Sequence, residues 1–163
     1  MDGVGIGKSD DSNAVFLAKT PNLDKLFTGE FKTELRAHGK AVGLPSDGDM
    51  GNSEVGHNAL GAGRVFAQGA KLVDMAIESG RIFQTDIWKQ IMEQSLKGGT
   101  LHFIGLLSDG NVHSHINQLF ALIKKASESG VKRVRIHPLL DGRDVHEKSA
   151  LEYIRPLENL LAS

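Results

Sequence analysis

The segment LHFIGLLSD, residues 101–109, is the part of the sequence that most constrains the fold. It is a short apolar run between a Gly-Gly pair and a turn sequence, which is typical of a buried strand in a parallel sheet. A second strand-like segment, VKRVRIHPLL, follows at residues 131–140. Between the two, apolar residues recur at helical spacing ahead of a glycine (Ile116, Leu119, Phe120 and Ile123). Strand, helix and strand in this order predict an α/β fold with a parallel sheet and flanking helices.

Helices are also predicted outside this unit. TPNLDKLF, residues 20–27, places a proline at an early helical position behind a threonine that is a candidate cap. Apolar spacing predicts helices over residues 53–60 and 71–77, the second of which ends near a glycine. A last helix is expected from Glu147, with Pro156 kinking or interrupting it.

The composition argues against several classes of protein. The 163 residues carry 19 Lys and Arg against 20 Asp and Glu, a formal net charge of -1. This balance gives no long-range field for collecting nucleic acid or anionic lipid, so neither nucleic acid nor a membrane is expected as a partner. The sequence has no cysteine, so any metal ion would need oxygen or imidazole ligands. No apolar run is long enough for a bilayer and no signal-peptide pattern opens the sequence, so a cytoplasmic location is expected.

The segment GDMGNSEVGHNALGAGR, residues 48–64, places Ser53 immediately ahead of a predicted helix. Its hydroxyl could cap that helix by accepting hydrogen bonds from the N–H groups of the first turn. The same position also suits a nucleophile, because a helix N-terminus stabilises a phosphate or an oxyanion. A serine becomes a good nucleophile only when a base removes its proton or a cation binds its oxygen. His57, one turn further on, is more typical of a surface histidine on a helix.

Polar residues follow both predicted strands. His113 and His115 lie in SDGNVHSH, after the first strand, where contact with an anion is more expected than a zinc site. Arg143 and Asp144 lie in DGRD, after the second strand. The guanidinium can bind a carboxylate or phosphate at two points and the carboxylate can transfer a proton, although a turn with a surface ion pair is the simpler alternative. Because parallel strands end at the same edge of a sheet, we expect both loops to line one crevice.

The start of the sequence, DGVGIG, reads as a loop that follows a strand, with glycines that let the backbone fold around Asp2. The neighbouring GIGKS does not have the glycine spacing of a phosphate-binding P-loop. Taken alone, Asp2 is most simply a turn-forming acid.

Taken together, DGVGIG, TPNLDKL, the serine segment, LLSDGNVHSHINQLFAL and LLDGRDV closely resemble the cofactor-independent phosphoglycerate mutases of the alkaline phosphatase superfamily. The resemblance runs over essentially the whole chain, and the serine segment and the SDGNVHSH and DGRD pair are its most specific parts. It implies a two-domain isomerase of glycolysis and gluconeogenesis. Such an enzyme interconverts 3-phosphoglycerate and 2-phosphoglycerate through a phosphoserine intermediate at two divalent metal ions, most typically manganese.

The same resemblance implies roles for individual residues. Ser53 is expected to accept the phosphoryl group and, when free, to ligate a metal ion together with Asp2. His113, Arg143 and Asp144 are expected to hold the glycerate part of the phosphoglycerate, with Asp144 moving the proton between its two hydroxyl groups.

The family pattern is incomplete in this sequence. The C-terminal half of the phosphatase domain, which carries the other Asp and His metal ligands, is missing, and so is the strand ahead of Asp2. We therefore expect residues 1–66 to be part of a phosphatase-like domain and residues 67–163 to be part of a transferase domain. The segment alone is expected to be inactive, and the intact enzyme to be a monomer.

Two other classes stay open. A metal-dependent phosphatase or sulfatase would release inorganic phosphate and would not need the DGRD crevice. A non-catalytic α/β module that kept the phosphate-recognising loops would bind phosphoglycerate weakly and without metal.

Overall fold

A computed structural model describes residues 4–162. Seven α-helices and two β-strands occur within this described part: α1 (Ala14–Leu17), α2 (Pro21–Phe27), α3 (Ser53–Ala62), α4 (Gly69–Glu78), α5 (Asp86–Leu96), β1 (Leu101–Leu107), α6 (Ile116–Glu128), β2 (Val134–Leu140) and α7 (Ala150–Ala162). Short 3-10 helices occupy Gly39–Val42 and Arg81–Gln84. No helix in the described residues is both long and apolar enough to cross a bilayer.

The two strands form a parallel sheet, which confirms the predicted strand–helix–strand unit. Their register pairs Leu101 with Val134 at one end and Leu107 with Leu140 at the other. Helix α6 connects them. Both strands therefore end at the same edge of the sheet, and the loops that follow them start side by side.

Helices α5, α6 and α7 cover one face of this sheet. Met92 of α5 packs in one buried cluster with Leu101 and Ala126, while Leu157 of α7 packs in a second cluster with Leu107 and residues of α6. Successive side chains of a strand point to opposite faces, so Leu101, Phe103 and Leu107 of β1 enter this core together. The core thus holds the end of β1, and the end of β2 is aligned with it by pairing.

The other face of the sheet is open within the described residues. Ile104 of β1 is 73% exposed and Leu139 of β2 is 57% exposed. His102 and His137 lie on the same open face, with His102 Nδ1 and His137 Nε2 2.8 Å apart. The expectation of a buried strand was therefore wrong for this face, because the helices of the described residues that pack on the sheet all lie on its other side.

A separate small core positions the serine segment. Val42 and Leu44 pack against Val55 of α3. Backbone hydrogen bonds close the segment at both ends, from Gly39 N–H to the Asp49 carbonyl and from Gln68 N–H to the Gly43 carbonyl. A side chain at position 51 would overlap the Ala37 carbonyl, so only glycine lets the chain pass there. The approach to α3 is therefore tightly constrained.

Two helix starts differ in detail from the sequence predictions. Thr20 does occupy the N-cap position of α2, but its hydroxyl donates to Asp24 Oδ1 at 2.8 Å instead of capping a backbone N–H group. The last helix begins at Ala150 rather than Glu147, because residues 146–149 form a turn in which the Ser149 N–H and hydroxyl groups both donate to the His146 carbonyl.

Pro156 does not interrupt α7, which continues to Ala162, so the interruption that was one of the two expected effects does not occur. A proline in a helix removes the hydrogen bond to the carbonyl four residues earlier, which here belongs to Glu152. Glu152 is exposed, so water can satisfy that carbonyl, while Leu157 on the opposite side keeps its place in the core. Burial of the apolar face therefore outweighs the loss of one solvent-facing hydrogen bond.

Substituting Leu157→Ala is expected to lower the free energy of unfolding by about 2–5 kcal/mol, because the side chain leaves a cavity between α7, α6 and β1. Leu161→Ala, on the exposed side of the same helix, serves as the control and should cost less than about 1 kcal/mol. Urea unfolding followed by fluorescence of the single tryptophan, Trp88, measures both. Equal losses in the two variants would contradict this packing.

Candidate active site

Ser53 is the first residue of α3 and is exposed. The cap expected of its hydroxyl is supplied instead by Asn52, whose side-chain oxygen accepts from the Val55 N–H group at 3.0 Å. An extended backbone at Asn52 allows this geometry, whereas Ser53 is already helical. The Ser53 hydroxyl is therefore not used as the cap, and it lies at the positive end of the helix dipole.

His57 lies one turn below Ser53 on the same side of α3. Its Nδ1 atom is 2.7 Å from the Ser53 carbonyl oxygen and 3.1 Å from Ser53 Oγ. A carbonyl oxygen can only accept a hydrogen bond, so Nδ1 must carry the hydrogen in this arrangement. In that tautomer the Ser53 hydroxyl cannot donate to His57 Nδ1.

The serine segment touches the loop after β1 through a polar contact. Asn111 Nδ2 donates to Asp49 Oδ1 at 3.1 Å, and Asp49 lies four residues ahead of Ser53. The backbone of Asn111 is in the left-handed conformation, with φ of 58°, which asparagine tolerates better than most residues. The contact therefore connects the serine segment with the SDGNVHSH loop, which lie far apart in the sequence.

The charge of Asp49 is stabilised at this contact. Burial alone would raise the pKa of Asp49, but hydrogen bonds from Asn111 and from Ser46 outweigh it and hold the pKa below its usual 3.8. The positive charge of His115, when present, acts in the same direction. Asp49 therefore remains a carboxylate at neutral pH and keeps its acceptor role.

His113 and His115 have different surroundings. His115 is the N-cap of α6, and its Nδ1 atom accepts from the Asn117 N–H group at 3.2 Å. His113 is exposed and places Nε2 3.9 Å from Asp144 Oδ2, within ion-pair distance when the imidazole is protonated. The two histidines thus have different partners: His115 caps α6, and His113 faces Asp144.

The loops after β1 and β2 meet at His113 and Asp144, as the parallel arrangement predicts. The Asp144 side chain is only 13% exposed, whereas the His113 side chain is 71% exposed. A Cβ atom at Gly110 would lie 2.7 Å from Asp144 Cβ, so the absence of a side chain there lets the loops approach. Arg143 is exposed beside them. The structure thus places an imidazole, a guanidinium and a shielded carboxylate on adjacent loops.

Asp141, which the sequence analysis did not single out, organises the DGRD loop. Its side chain accepts hydrogen bonds from the Ser108 hydroxyl and from three backbone N–H groups of the loop. The Ser108 hydroxyl, followed by the Arg143 N–H, holds the pKa of Asp141 well below its usual 3.8 against the opposing effect of burial. The stabilisation from this carboxylate is therefore present above about pH 3.8 and lost as the pH falls through the folded-state value.

Tyr153 ties α7 to the loop after β1. Its hydroxyl donates to Asp109 Oδ1 at 2.7 Å. This hydrogen bond, assisted by burial, raises the pKa of Tyr153 from 10.0 to about 12, because the ionised phenol could not donate and would face the carboxylate charge. The bond fixes the first residues of the SDGN loop against a helix that is anchored in the core.

The described residues do not by themselves form a metal site. Asp2, expected as a ligand, lies outside residues 4–162, and no group of three or more His, Asp or Glu side chains within that range is arranged to hold an ion. Ser53, the other expected ligand, contributes a single exposed hydroxyl. Oxygen and imidazole ligands from elsewhere would be needed to complete a site for a divalent cation.

A family model and the sequences of known proteins point to the same family. A family model described as the N-terminus of BPG-independent PGAM matches residues 73–163, more than half of the chain. The chain is 54% identical over 165 residues to a 2,3-bisphosphoglycerate-independent phosphoglycerate mutase of Trypanosoma brucei brucei, and 55% identical over 161 residues to one of Zea mays. These alignments cover 99% and 98% of the chain but only 30% and 29% of the relatives.

A solved structure agrees with the sequence comparison. The chain matches a crystal structure of Leishmania mexicana phosphoglycerate mutase at low cobalt concentration with a TM-score of 0.85 and 53% identity. The match covers 99% of this chain and 30% of the other. The chain thus spans about 30% of the length of the relatives it matches.

The tyrosine contact can be tested directly, since Tyr153 is the only tyrosine in the chain. Absorbance at 295 nm during alkaline titration should show ionisation with a pKa of about 12, and Asp109→Asn should shift it back toward 10.0. The matched control, Asp86→Asn, alters an exposed carboxylate on α5 and should leave the titration unchanged. Because the folded-state pKa is the higher one, the contribution of the contact to stability is fully present below about pH 10 and is lost as the pH rises through about 12. Ionisation near pH 10 in the native chain would exclude the bond.

Proposed function

The chain belongs to the family of BPG-independent phosphoglycerate mutases, and from that premise we propose that it is part of an enzyme that interconverts 3-phosphoglycerate and 2-phosphoglycerate through a phosphoserine intermediate. The observation that carries the proposal is the contact between Asp49 and Asn111. It joins the segment of an exposed helix-terminal serine to the loops that present an imidazole, a guanidinium and a carboxylate. Phosphoryl transfer and retention of an acidic product both need such groups in one place.

Ser53 is the proposed nucleophile. Its hydroxyl lies at the N-terminus of α3, where backbone N–H groups and the helix dipole favour the negative charge of a phosphoryl group. When His57 Nδ1 donates to the Ser53 carbonyl, it cannot take the hydroxyl proton, so we propose that another group activates the hydroxyl. This geometry supports activation by a cation rather than by the neighbouring imidazole.

Two divalent metal ions, with manganese the expected element, are proposed as the source of that activation. Bound cations would lower the pKa of the serine hydroxyl and neutralise charge on the phosphate oxygens. Of the two ligands expected in this chain, Ser53 is accessible and Asp2 lies outside the described residues. The other ligands are proposed to come from the part of the complete polypeptide that corresponds to the remaining 70% or so of the relatives.

Arg143, Asp144 and His113 are proposed to hold and reorient the glycerate. The exposed Arg143 guanidinium suits two-point binding of a carboxylate. Asp144 is shielded from solvent yet lies beside His113, so it can take the proton from one glycerate hydroxyl and return it to the other as the phosphoryl group changes position. Retention of the glycerate during this exchange distinguishes a mutase from a phosphatase.

The division into a phosphatase-like part, residues 1–66, and a transferase part, residues 67–163, belongs to the same proposal. The Asp49–Asn111 contact would then join the two parts at the site. Phosphoglycerate is the proposed small-molecule partner, and no nucleic acid or membrane partner is expected. The 163-residue segment alone is proposed to lack turnover, because it supplies too few cation ligands.

Substituting Ser53→Ala in the complete polypeptide that contains this segment should lower mutase turnover by at least roughly 1000-fold, since the phosphoryl group loses its acceptor. Ser127→Ala, an exposed serine on α6, is the matched control and should leave turnover unchanged. Formation of 2-phosphoglycerate from 3-phosphoglycerate with manganese is the measurement. Near-normal turnover in the Ser53 variant would refute the assignment, and release of inorganic phosphate in place of the isomer by the unaltered enzyme would favour the phosphatase alternative.

Conservative changes in the DGRD loop should separate binding from proton transfer. Arg143→Lys retains the charge but loses two-point geometry, so KM should rise by roughly ten-fold with a smaller change in kcat. Asp144→Asn retains the shape but cannot accept the proton, so kcat should fall by roughly 100-fold or more at similar KM. Steady-state kinetics of both variants provide the comparison, and the reverse pattern would exchange the two proposed roles.

A further inference from the structure

The Ser108 hydroxyl forms a buried junction directly after β1. Ser108 is 1% exposed and is among the most deeply buried side chains of the described residues. Its Oγ atom accepts from the Gly110 N–H group at 3.0 Å and donates to Asp141 Oδ2 at 2.6 Å. One hydroxyl therefore fixes the turn of its own loop and a side chain of the neighbouring loop.

Asp141 continues this junction directly after β2. While Oδ2 accepts from Ser108, Oδ1 accepts from the N–H groups of Gly142, Arg143 and Asp144 at 2.7, 2.9 and 3.1 Å. The backbone of the whole DGRD turn thus wraps around a single carboxylate. A carboxylate suits this task because both of its oxygens are acceptors, so that Oδ1 can accept from the loop N–H groups while Oδ2 accepts from Ser108.

The junction fixes the backbone positions of two residues that are proposed to bind the substrate. The backbones of Arg143 and Asp144 are held by Asp141, and Asp141 is held in turn by Ser108. The close approach of Gly110 to Asp144 brings the first loop against the second. Ser108 Oγ and both Asp141 oxygens are engaged in hydrogen bonds within the protein, so the proposed role of the pair does not need contact with the substrate.

We propose that Ser108 and Asp141 form a positioning pair that sets Arg143 and Asp144 in the geometry needed to retain and reorient the glycerate during isomerisation. The inference rests on the proposed mutase function. It goes beyond that function by assigning the retention of the glycerate also to the hydrogen-bond network that starts at the buried Ser108 hydroxyl, rather than to the contacting side chains alone.

A positioning role differs from a merely structural one in its effect on the reaction products. If the DGRD loop is loosened while Ser53 is untouched, phosphoryl transfer to serine persists but the glycerate escapes more often. Water then attacks the phosphoserine, which restores the serine hydroxyl and releases inorganic phosphate. Loss of folded protein would instead lower isomer formation and phosphate release in proportion.

The test uses the complete polypeptide that contains this segment, with 3-phosphoglycerate and manganese. Asp141→Ala should lower kcat/KM for isomer formation by roughly 100-fold, since small misplacements of positioned groups have effects of that size. Asp141→Asn retains an acceptor for the loop N–H groups, so kcat/KM for isomer formation should fall by only roughly ten-fold. Ser108→Ala should resemble Asp141→Asn, and all three variants should release more inorganic phosphate per isomer formed.

Matched controls separate the network from general stability. Ser149→Ala removes another buried serine hydroxyl, and Asp74→Asn alters another hydrogen-bonded carboxylate, which accepts from Gln118 at 2.8 Å. Both controls should keep the native ratio of phosphate to isomer, even where they lower thermal stability. If Asp141→Ala fails to fold, Asp141→Asn and Ser108→Ala supply the same comparison.

The outcomes distinguish this inference from the proposed function. Wild-type KM and product ratio in both Asp141→Asn and Ser108→Ala, together with an inactive Ser53→Ala enzyme, would overturn the positioning pair and leave the mutase proposal standing. Normal turnover of Ser53→Ala would overturn the proposed function itself. A raised ratio of phosphate to isomer in the junction variants, absent from both controls, supports the pair.

Discussion

The candidate site depends on the parallel register of β1 and β2. Leu107, the last residue of β1, is paired with Leu140, the last residue of β2. The residues that follow them, Ser108 and Asp141, therefore lie side by side at the same edge of the sheet. Their side chains can then join at 2.6 Å. A register shift by one residue would turn every side chain of one strand to the other face and break this bond. The apolar pattern that buries β1 against α6 therefore also aligns the two polar loops.

The position of Ser53 depends on the start of α3 and not on the sheet. α3 places the Ser53 hydroxyl in solvent at the helix terminus, while Asn52 takes over the capping task. This separation leaves the Ser53 oxygen available for chemistry without loss of helix stability. The His57 Nδ1 atom lies 2.7 Å from the Ser53 carbonyl oxygen, and when it donates there it cannot accept the Ser53 proton. The position and exposure of the hydroxyl are thus determined within α3 itself.

Much of this arrangement could be predicted from the sequence, and the failures have physical causes. Apolar periodicity gave the strands, α6 and the meeting of the two loops, since these depend on burial. Helix α5 was not predicted, although Ile87, Trp88, Ile91 and Met92 recur at helical spacing and Thr85 caps the helix at the Trp88 N–H group, so its signal was present in the sequence. Asp141 was missed because an acid in a turn looks the same in sequence whether it faces solvent or accepts four hydrogen bonds.

The two ends of the site differ in how much they depend on the rest of the polypeptide. The Asp141 turn is held by bonds within four residues and by Ser108, so it can form wherever β1 and β2 pair. Residues 4–38 instead expose large apolar side chains, Phe31 most of all, and α1 and α2 bury no residue within the described part. Such surfaces normally pack against a partner element. The described residues therefore hold the proposed glycerate-binding loops in place by themselves, while the segment ahead of the proposed nucleophile leaves an apolar surface uncovered within residues 4–162.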